Sequence, residues 1–358
     1  VMSRNWFFGL TSRVLMLIAA ALLVLSFAAM FVNPAKLWMI SVIGILFIPL
    51  YAANCFLLLW AAVRRSKAFV IPMLALLPAC LFLGRYFRFS NEPDFPVDGN
   101  PVRIVTWNVG RFVHYDGESG LEGWRECADS VFRFIKEQDA DIICLQEFHA
   151  SGNERMKAYI KKKLPGYNAE YYLFTGPEGY YGNMTLSRFP VRNRGRIKFE
   201  SSANLAIFTD YMVGERVFRI YNCHFESYNI SFAGLVRGLM KSGSDVFAQT
   251  GTKMKRSITR RPKQVDKVLS DIGGCPVDAF VCGDFNDTPM SYTYHKLIRE
   301  RKDAFVEAGE GFAATYALLW PLLRLDYILC PEECSVVRHE IHDIGYSDHY
   351  PVVSDVIL

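Results

Sequence analysis

The feature that most limits what this chain can fold into is where its first charges do not fall. Val14 to Val32 carries no charged side chain, Leu37 to Val63 carries none, and Ala68 to Gly84 is a third, shorter apolar run containing Pro72 and Pro78. A helix needs roughly 20 apolar residues to cross a bilayer, and each run meets or approaches that length. A cleaved signal peptide accounts for the first run but not for the two behind it. The pattern predicts a transmembrane region over 1–84 with three helices, at about 14–32, 37–63 and 68–84. The two prolines of the third run also fit a kinked or interfacial segment.

Loop charges orient these helices. Arg4, Arg13, Arg64, Arg65 and Lys67 fall on one side and Lys36, Arg85 and Arg88 on the other. By the positive-inside rule, three spans place the N-terminus in the cytoplasm and everything after Arg85 on the extracytoplasmic side. If the third run does not cross, the remainder is cytoplasmic. Residues 85–100 turn polar and proline-rich, with Pro93, Pro96 and Asp98-Gly99, which is the composition of a linker. Such a linker extends to at most about 55 Å, so the domain that follows, 101–358, is held near the bilayer.

Of the 40 Lys and Arg and 36 Asp and Glu, eight bases and three acids precede position 101, leaving 32 against 33 beyond it. A soluble part so close to neutral argues against a broad nucleic-acid surface. One local run, Arg237 to Lys263, holds eight cations against the single acid Asp245; beside a membrane it is expected to touch anionic head groups, at ~1 kcal/mol per cation. The nine cysteines are an odd number. Cys144, Cys223 and Cys282 sit in apolar strand-like runs as small core residues, and Cys330 and Cys334 can pair only if geometry allows. Free thiols oppose an oxidising compartment, against the orientation from loop charges.

From Pro101 the pattern changes to short apolar strands separated by turns and a minority of helices, which favours a sandwich of two sheets with helices outside. Neither GxGxxG nor GxxxxGK[ST] occurs, so no dinucleotide or Walker site is indicated. Strand ends are where the polar residues collect. The run Asp278 to Cys282 closes at Gly283 and delivers Asp284 and Asn286, which point the same way if the chain stays extended. Further strands end at Asn108, Glu147, His224, Asp326, and Asp348 with His349. A helix is expected over Glu122 to Gln138 and another from about Pro262 to Asp271.

These residues share a chemistry. Glu147, Asp348 and Asn108 supply the hard oxygens that Mg²⁺ or Mn²⁺ prefers, and no Cys/His spacing suggests zinc. His224, His349 and Asn286 supply donors toward phosphate oxygens. Asp284 is suited to orienting or deprotonating a water, and Asp326 to holding the His349 ring in one tautomer.

In order along the chain, Thr106-Trp107-Asn108-Val109, Leu145-Gln146-Glu147, Gly182 to Pro190, Asn222-Cys223-His224, Gly283-Asp284-Phe285-Asn286, Arg324 to Ile328 and Ser347-Asp348-His349 resemble the endonuclease/exonuclease/phosphatase superfamily, the DNase I-like fold. The resemblance covers Pro101 to Leu358. It implies a four-layer α/β/β/α sandwich and divalent-metal-dependent cleavage of phosphoester bonds. Glu147 matches the principal metal ligand, with Asn108 and Asp348 completing the metal surroundings. Asp284 and Asn286 match the pair that positions water and phosphate, His349 the essential histidine, and Asp326 the residue that orients it. His224 in Asn-x-His resembles the DNase I, sphingomyelinase and inositol-phosphatase branches more than the abasic-site endonucleases. Asn183-Met184-Thr185 departs from the family's small or aliphatic residues, which bears on strand packing.

The expected activity is therefore hydrolysis of a phosphodiester or phosphomonoester by a membrane-anchored enzyme. The tether and the near-neutral domain favour a lipid or head-group substrate. The alternatives are a metal-dependent nuclease and a membrane-tethered domain that binds a partner without catalysis.

Overall fold

Alternation along single strands sets the layers. In the strand Val102–Asn108, Val102 and Ile104 pack to one side of the sheet and Val105 and Trp107 to the other, all of them buried. A strand apolar on both faces needs cover on both. The computed structural model describes residues 2–89, 99–112, 123–176, 179–227 and 243–358, with side chains described outside 2–8 and 243–250, and element counts refer to those residues.

One six-stranded sheet runs β13 (Ser335–Ile341), β14 (Val352–Ile357), β2 (Val102–Asn108), β3 (Ile142–Ala150), β5 (Gly179–Ser187), β4 (Asn168–Gly176). The other six-stranded sheet runs β10 (Arg301–Asp303), β12 (Asp326–Pro331), β9 (Asp278–Asp284), β8 (Arg216–His224), β7 (Leu205–Val213), β6 (Val191–Lys198). β2 with β3 and β8 with β9 are the parallel pairs. Their four C-terminal ends open on the same rim.

Three apolar layers hold this together. Between the sheets lie Ile104, Ile142, Cys144, Ile220, Phe280, Cys282 and Ile328. The helices α5 (Trp124–Gln138) and α6 (Asn153–Lys163) cover the outer face of the first sheet through Val131, Phe134, Met156 and Ile160. The helices Gly243–Gly273 and Tyr292–Leu297 cover the second through Val265, Val268, Tyr294 and Leu297. The result is a DNase I-like α/β sandwich, as the motifs imply. All nine cysteines are free, Cys330 and Cys334 included.

Several elements differ from the sequence expectation. The helix expected to start at Pro262 spans Gly243–Gly273 with Pro262 inside it. The proline costs one backbone bond, and burial of Val265 and Val268 on either side of the next turn outweighs it. The edge strands β4 and β6 carry the weakest patterns. β6 exposes Arg192, Arg194, Arg196 and Lys198, the charges that keep a sheet edge from pairing with another chain.

At the N-terminus, Gly9–Ala28 within α1 (Met2–Ala28) and Lys67–Arg85, which contains α4 (Val70–Ala79), are long and apolar enough to cross a membrane, at 20 and 19 residues. The middle run is not one straight helix: α2 (Trp38–Ile45) and α3 (Phe47–Val63) meet at a 59° bend and pass the same test only as a pair. Pro49, in the first turn of α3, has no N–H to carry the ladder back across the break.

The stretch expected to be a linker begins as docked structure. Tyr86 is buried, its carbonyl accepts from Ala313 N at 2.8 Å, and β1 (Phe87–Arg88) pairs antiparallel with β11 (Gly311–Phe312). Residues 90–98 lie outside the described residues. Met290 packs in one cluster with Leu23, Phe47, Leu76, Ala79 and Tyr86. Arg85 donates to Pro289 O at 3.1 Å, and the Phe31 ring lies 4.8 Å from His295. The helical region is thus seated on the loop that follows β9.

Candidate active site

Two backbone devices build the rim. β9 can approach β8 closely enough only because residue 283 is glycine: a Cβ there would lie 2.0 Å from Cys223 O, and its φ of +131° is one that other residues rarely adopt. That closeness puts Asp284 in register with His224 on one side and Asp326 on the other. On the first sheet, the β3–β5 register shifts between Leu145 and Phe148, and Glu147 within that bulge has φ +49°. Bulges re-aim a side chain, and a left-handed glutamate is a conformation the surrounding structure must impose. Here it turns the carboxylate out of the strand pattern, leaving its side chain 29% exposed while its neighbour Gln146 is fully buried.

The predicted residues converge. Asn108 Nδ2 donates to Asp284 Oδ2 at 2.9 Å, while Asn108 Oδ1 accepts from Gly110 N at 3.0 Å. Asn286 N donates to Asp284 Oδ1 at 2.8 Å, and Asn286 Nδ2 to Asp284 Oδ2 at 3.0 Å and to Phe225 O at 3.1 Å. The extended geometry expected for this pair is not what forms: Asn286 has φ +51°, so the two side chains face each other around a turn. His349 Nδ1 bonds Asp326 Oδ2 at 2.8 Å, and His349 Nε2 lies 3.9 Å from Asp284 Oδ2. His224 Nε2 lies 3.7 Å from both Glu147 Oε1 and Asp284 Oδ2, and among the described residues it has no hydrogen-bond partner. Asp348 sits beside this group: a Cβ on Gly110 would stand 3.4 Å from its Oδ1.

Burial and neighbours shift two of these groups in opposite senses. Burial pushes the Asp284 carboxyl above its ordinary range, with His349 pulling the other way. Burial opposes charge on His349, but Asp326 and Asp284 together override it and hold the imidazole well above its ordinary value.

Asp284, Asp326 and His349 offer ligand atoms within 4.8 Å of one another, but of these three contacts Asp326–His349 is the hydrogen bond, and His349 Nε2 stops 3.9 Å short of Asp284. Asp284 already accepts three N–H bonds, from Asn108 and twice from Asn286, and Asp326 Oδ2 is taken by His349. Lone pairs remain on Glu147, on Asp348, on Asn108 Oδ1, which accepts once from Gly110 N, and on Asp326 Oδ1, which has no hydrogen-bond partner among the described residues; the first three are oxygen donors of the kind a hard divalent ion takes.

Sequence reasoning gave no role to Arg111, Tyr316, Ser347 or the Gln146–Asn222 pair, although the last three residues lie in the quoted motifs. Arg111 Nε lies 3.6 Å from Glu147 Oε2 and stacks 5.1 Å from the Tyr181 ring. Ser347 Oγ donates to Asn108 O at 2.7 Å and accepts from His349 N at 3.2 Å. The Tyr316 ring meets the His349 ring edge-on at 5.1 Å. Beneath the rim, Gln146 Nε2 donates to Asn222 Oδ1 at 2.8 Å, and Asn222 Nδ2 donates to Met184 O at 2.9 Å. Asn183, the departure from the family pattern, joins this inter-sheet network by donating to Asn222 O at 3.0 Å and Leu205 O at 3.2 Å.

The basic run fares differently. Arg237 and Lys241 lie outside the described residues. Arg261 is buried and paired with Asp287 at 2.8 Å, and Arg260 bonds Glu226 at 3.1 Å and Ser201 O at 2.8 Å. Those two cations fasten the long helix to the domain, so they do not reach head groups.

The fold is a DNase I-like sandwich, and its carboxylates, histidines and amides gather on one rim. The chain belongs to the Endonuclease/Exonuclease/phosphatase family, whose model matches residues 105–349. The enzymes of this family are metal-dependent phosphoester hydrolases. A second model, described as a domain of unknown function, matches residues 6–86. Among solved structures, the endonuclease/exonuclease/phosphatase from Bacteroides vulgatus is 19% identical with a TM-score of 0.53, covering 73% of this chain and 100% of its own. The catalytic domain of human Nocturnin with a bound sulfate anion is 20% identical with a TM-score of 0.51, over 75% of this chain and 98% of its own. A humanized Danio rerio TDP2 is 16% identical with a TM-score of 0.51, over 73% and 100%. No curated protein sequence matches the chain.

Proposed function

We propose that this chain is a membrane-anchored, divalent-metal-dependent phosphoesterase acting on a lipid or head-group phosphoester, with its catalytic domain on the extracytoplasmic side. The observation that carries the catalytic part is the convergence of Glu147, Asn108, His224, Asp284, Asn286, Asp326 and His349 on one rim, with the Glu147 carboxylate open to solvent.

In this reading Glu147, with Asn108 and Asp348, holds Mg²⁺ or Mn²⁺, which supplies charge compensation at the phosphoryl oxygens. The protein groups do the rest. His224 Nε2, buried and without a hydrogen-bond partner among the described residues, would in its Nε2–H form donate toward a phosphate oxygen. Asn286 fixes Asp284 by two bonds, and burial raises that carboxyl in the direction a proton acceptor for water needs. Asp326 fixes the His349 tautomer and stabilises its charged form, so His349 is set to donate toward the phosphate. Phosphoryl transfer demands positioning and charge compensation above all, and these bonds provide positioning.

The lipid direction is supported by the apolar helices and by their seating on the loop that follows Asp284 and carries Asn286. A nuclease is the second reading, favoured by a cavity of about 890 Å³ between β4 and β6 lined by Lys157, Lys161, Tyr171, Tyr172, Arg194 and Arg196, although Glu170 in the same lining pairs Arg194 at 2.6 Å and Glu154 pairs Lys157 at 3.0 Å. It predicts faster cleavage of DNA or RNA than of phospholipid and a steep loss of binding with salt.

The test is a metal-supplemented panel of phospholipids, sphingomyelin, inositol phosphates and nucleic acids with the full chain. Glu147→Gln and His349→Ala are each expected to lower phosphodiester hydrolysis by about 10³-fold or more, and a chelator to abolish it until Mg²⁺ or Mn²⁺ is restored. Full activity in either variant refutes the site. Absence of both divalent binding and hydrolysis points to a partner-binding domain instead.

A further inference from the structure

Four aromatic side chains stand exposed where the last apolar helical segment meets the catalytic domain. Phe87 and Phe89 follow Arg85, the end of the apolar segment; Phe312 and Trp320 come from the loop region before β12; and the four are 36%, 84%, 47% and 52% exposed. They form one chain of edge-to-face contacts: Phe89 to Phe87 at 5.1 Å, Phe87 to Phe312 at 5.1 Å, Phe312 to Trp320 at 5.4 Å. The β1–β11 pairing fixes Phe87 opposite Phe312, so the chain rests on backbone and not on side-chain chance. Burying such rings in the domain would be the ordinary solution, and a contiguous exposed aromatic patch marks a contact surface.

Two observations say what covers it. First, the patch continues a lipid-type face: Leu74, Leu77 and Leu81 project from the apolar segment at helical spacing and are 59%, 61% and 81% exposed. Aromatic residues at the end of such a face are where chains meet the polar boundary of a bilayer. Second, the shelf is joined to the site. Between Phe312 and β12 the same loop carries Tyr316, whose ring meets His349, and Ala317, whose N–H bonds Asp348 O at 2.9 Å.

We infer that Phe87, Phe89, Phe312 and Trp320 form a shelf lying in the head-group layer of the bilayer, which fixes the loop of Tyr316, and with it the His349 side of the site, at the membrane surface. The partner is the lipid interface itself. This goes beyond anchoring by the apolar helices, because it sets the height and tilt of the domain. It bears on substrate access only if the lipid reading of the site is right.

The decisive measurement does not depend on activity. The full chain and Trp320→Phe are placed in phosphatidylcholine nanodiscs with or without brominated acyl chains, and the emission that disappears with Trp320 is obtained by difference. That emission is expected to fall by about twofold or more with brominated lipid and to resist aqueous acrylamide, as for an interfacial indole. Emission untouched by brominated lipid overturns the inference, whether Trp320 then faces water or a second copy.

A second arm compares a vesicle-embedded phosphodiester lipid with soluble bis(p-nitrophenyl) phosphate in Phe312→Ser/Trp320→Ser. The KM for the lipid is expected to rise on the order of tenfold, with turnover of the soluble substrate unchanged. A parallel loss on both substrates makes the shelf a structural element and overturns its membrane role. If the wild-type chain cleaves the soluble diester and no lipid, the substrate reading fails, and the quenching result alone decides the shelf.

Discussion

Replacing Asp303 by Asn strands a buried cation two residues from the carboxylate that holds His349. Arg324 makes a two-pronged pair with Asp303, Nη2 to Oδ1 at 2.5 Å and Nη1 to Oδ2 at 2.7 Å, and both side chains are 1% exposed. The guanidinium lies between the Phe305 and Tyr327 rings, 4.9 and 4.5 Å from their centres. Burial alone raises a carboxyl, but Arg324 holds Asp303 below its ordinary value, which is the mark of a pair kept charged. Breaking a pair of this kind from one side costs about 3–5 kcal/mol, because the remaining charge has no solvent to return to. In a domain of this size each kcal/mol moves the midpoint by about 2–4 °C, so Asp303→Asn is expected to lower it by about 6–20 °C. Arg324→Met strands the equally buried Asp303 carboxylate and is expected to cost a similar amount. The double variant should cost much less than the two singles together. Thermal unfolding of the detergent-solubilised full chain reads all four proteins of the cycle. A shift under about 2 °C for Asp303→Asn, or strict additivity of the two singles, refutes the reasoning. Turnover should fall as well, since Leu325 N and Asp326 N both bond Thr315 Oγ1, and Arg324 leads directly into that turn.

Asn222→Leu removes the side chain that accepts from Gln146 and donates to Met184 O, Leu145 O and Thr185 Oγ1 between the sheets; a loss of about 3 kcal/mol is expected in urea unfolding, and a loss below about 1 kcal/mol would show the network to be dispensable. His339 is buried against Phe305 and Ser354, and burial pushes its imidazole down to about 3. Its neutral form is therefore the folded form: its contribution is fully present above its ordinary value near 6.5 and declines as pH falls toward the folded value, because the unfolded chain binds the proton first. Between pH 6.5 and pH 5 that amounts to about 2 kcal/mol, measurable by denaturant titration at the two pH values, and His339→Gln should flatten the dependence. An unchanged pH slope in the variant would assign the effect elsewhere.

Much of the site was legible in the sequence because strand ends advertise themselves: an apolar run halted by Asp284, His224 or Asn108 leaves a polar side chain at a rim, whatever the wider fold. The same local logic exposes the apolar runs before position 85, since any structure must hide them in lipid or protein. Glu147 was legible as a ligand but not in its manner of delivery. Its left-handed backbone and the register shift around it belong to the pairing of β3 with β5, a contact between strands more than 30 residues apart in the chain. Asn183 looked anomalous for the same reason: its partners, Leu205 and Asn222, come from the opposite sheet.

Chemistry and hydropathy are properties of residues and short segments, and the sequence by itself determined those: the apolar helices, the sandwich class, and the identity of the acids, histidines and amides at the rim. Tertiary structure alone decided the docking of Tyr86 and Met290 against the helices, the burial of Arg261 on Asp287, and the aromatic shelf beside Tyr316. Each depends on which distant segments meet, and a charge or a ring acquires its role only from what faces it.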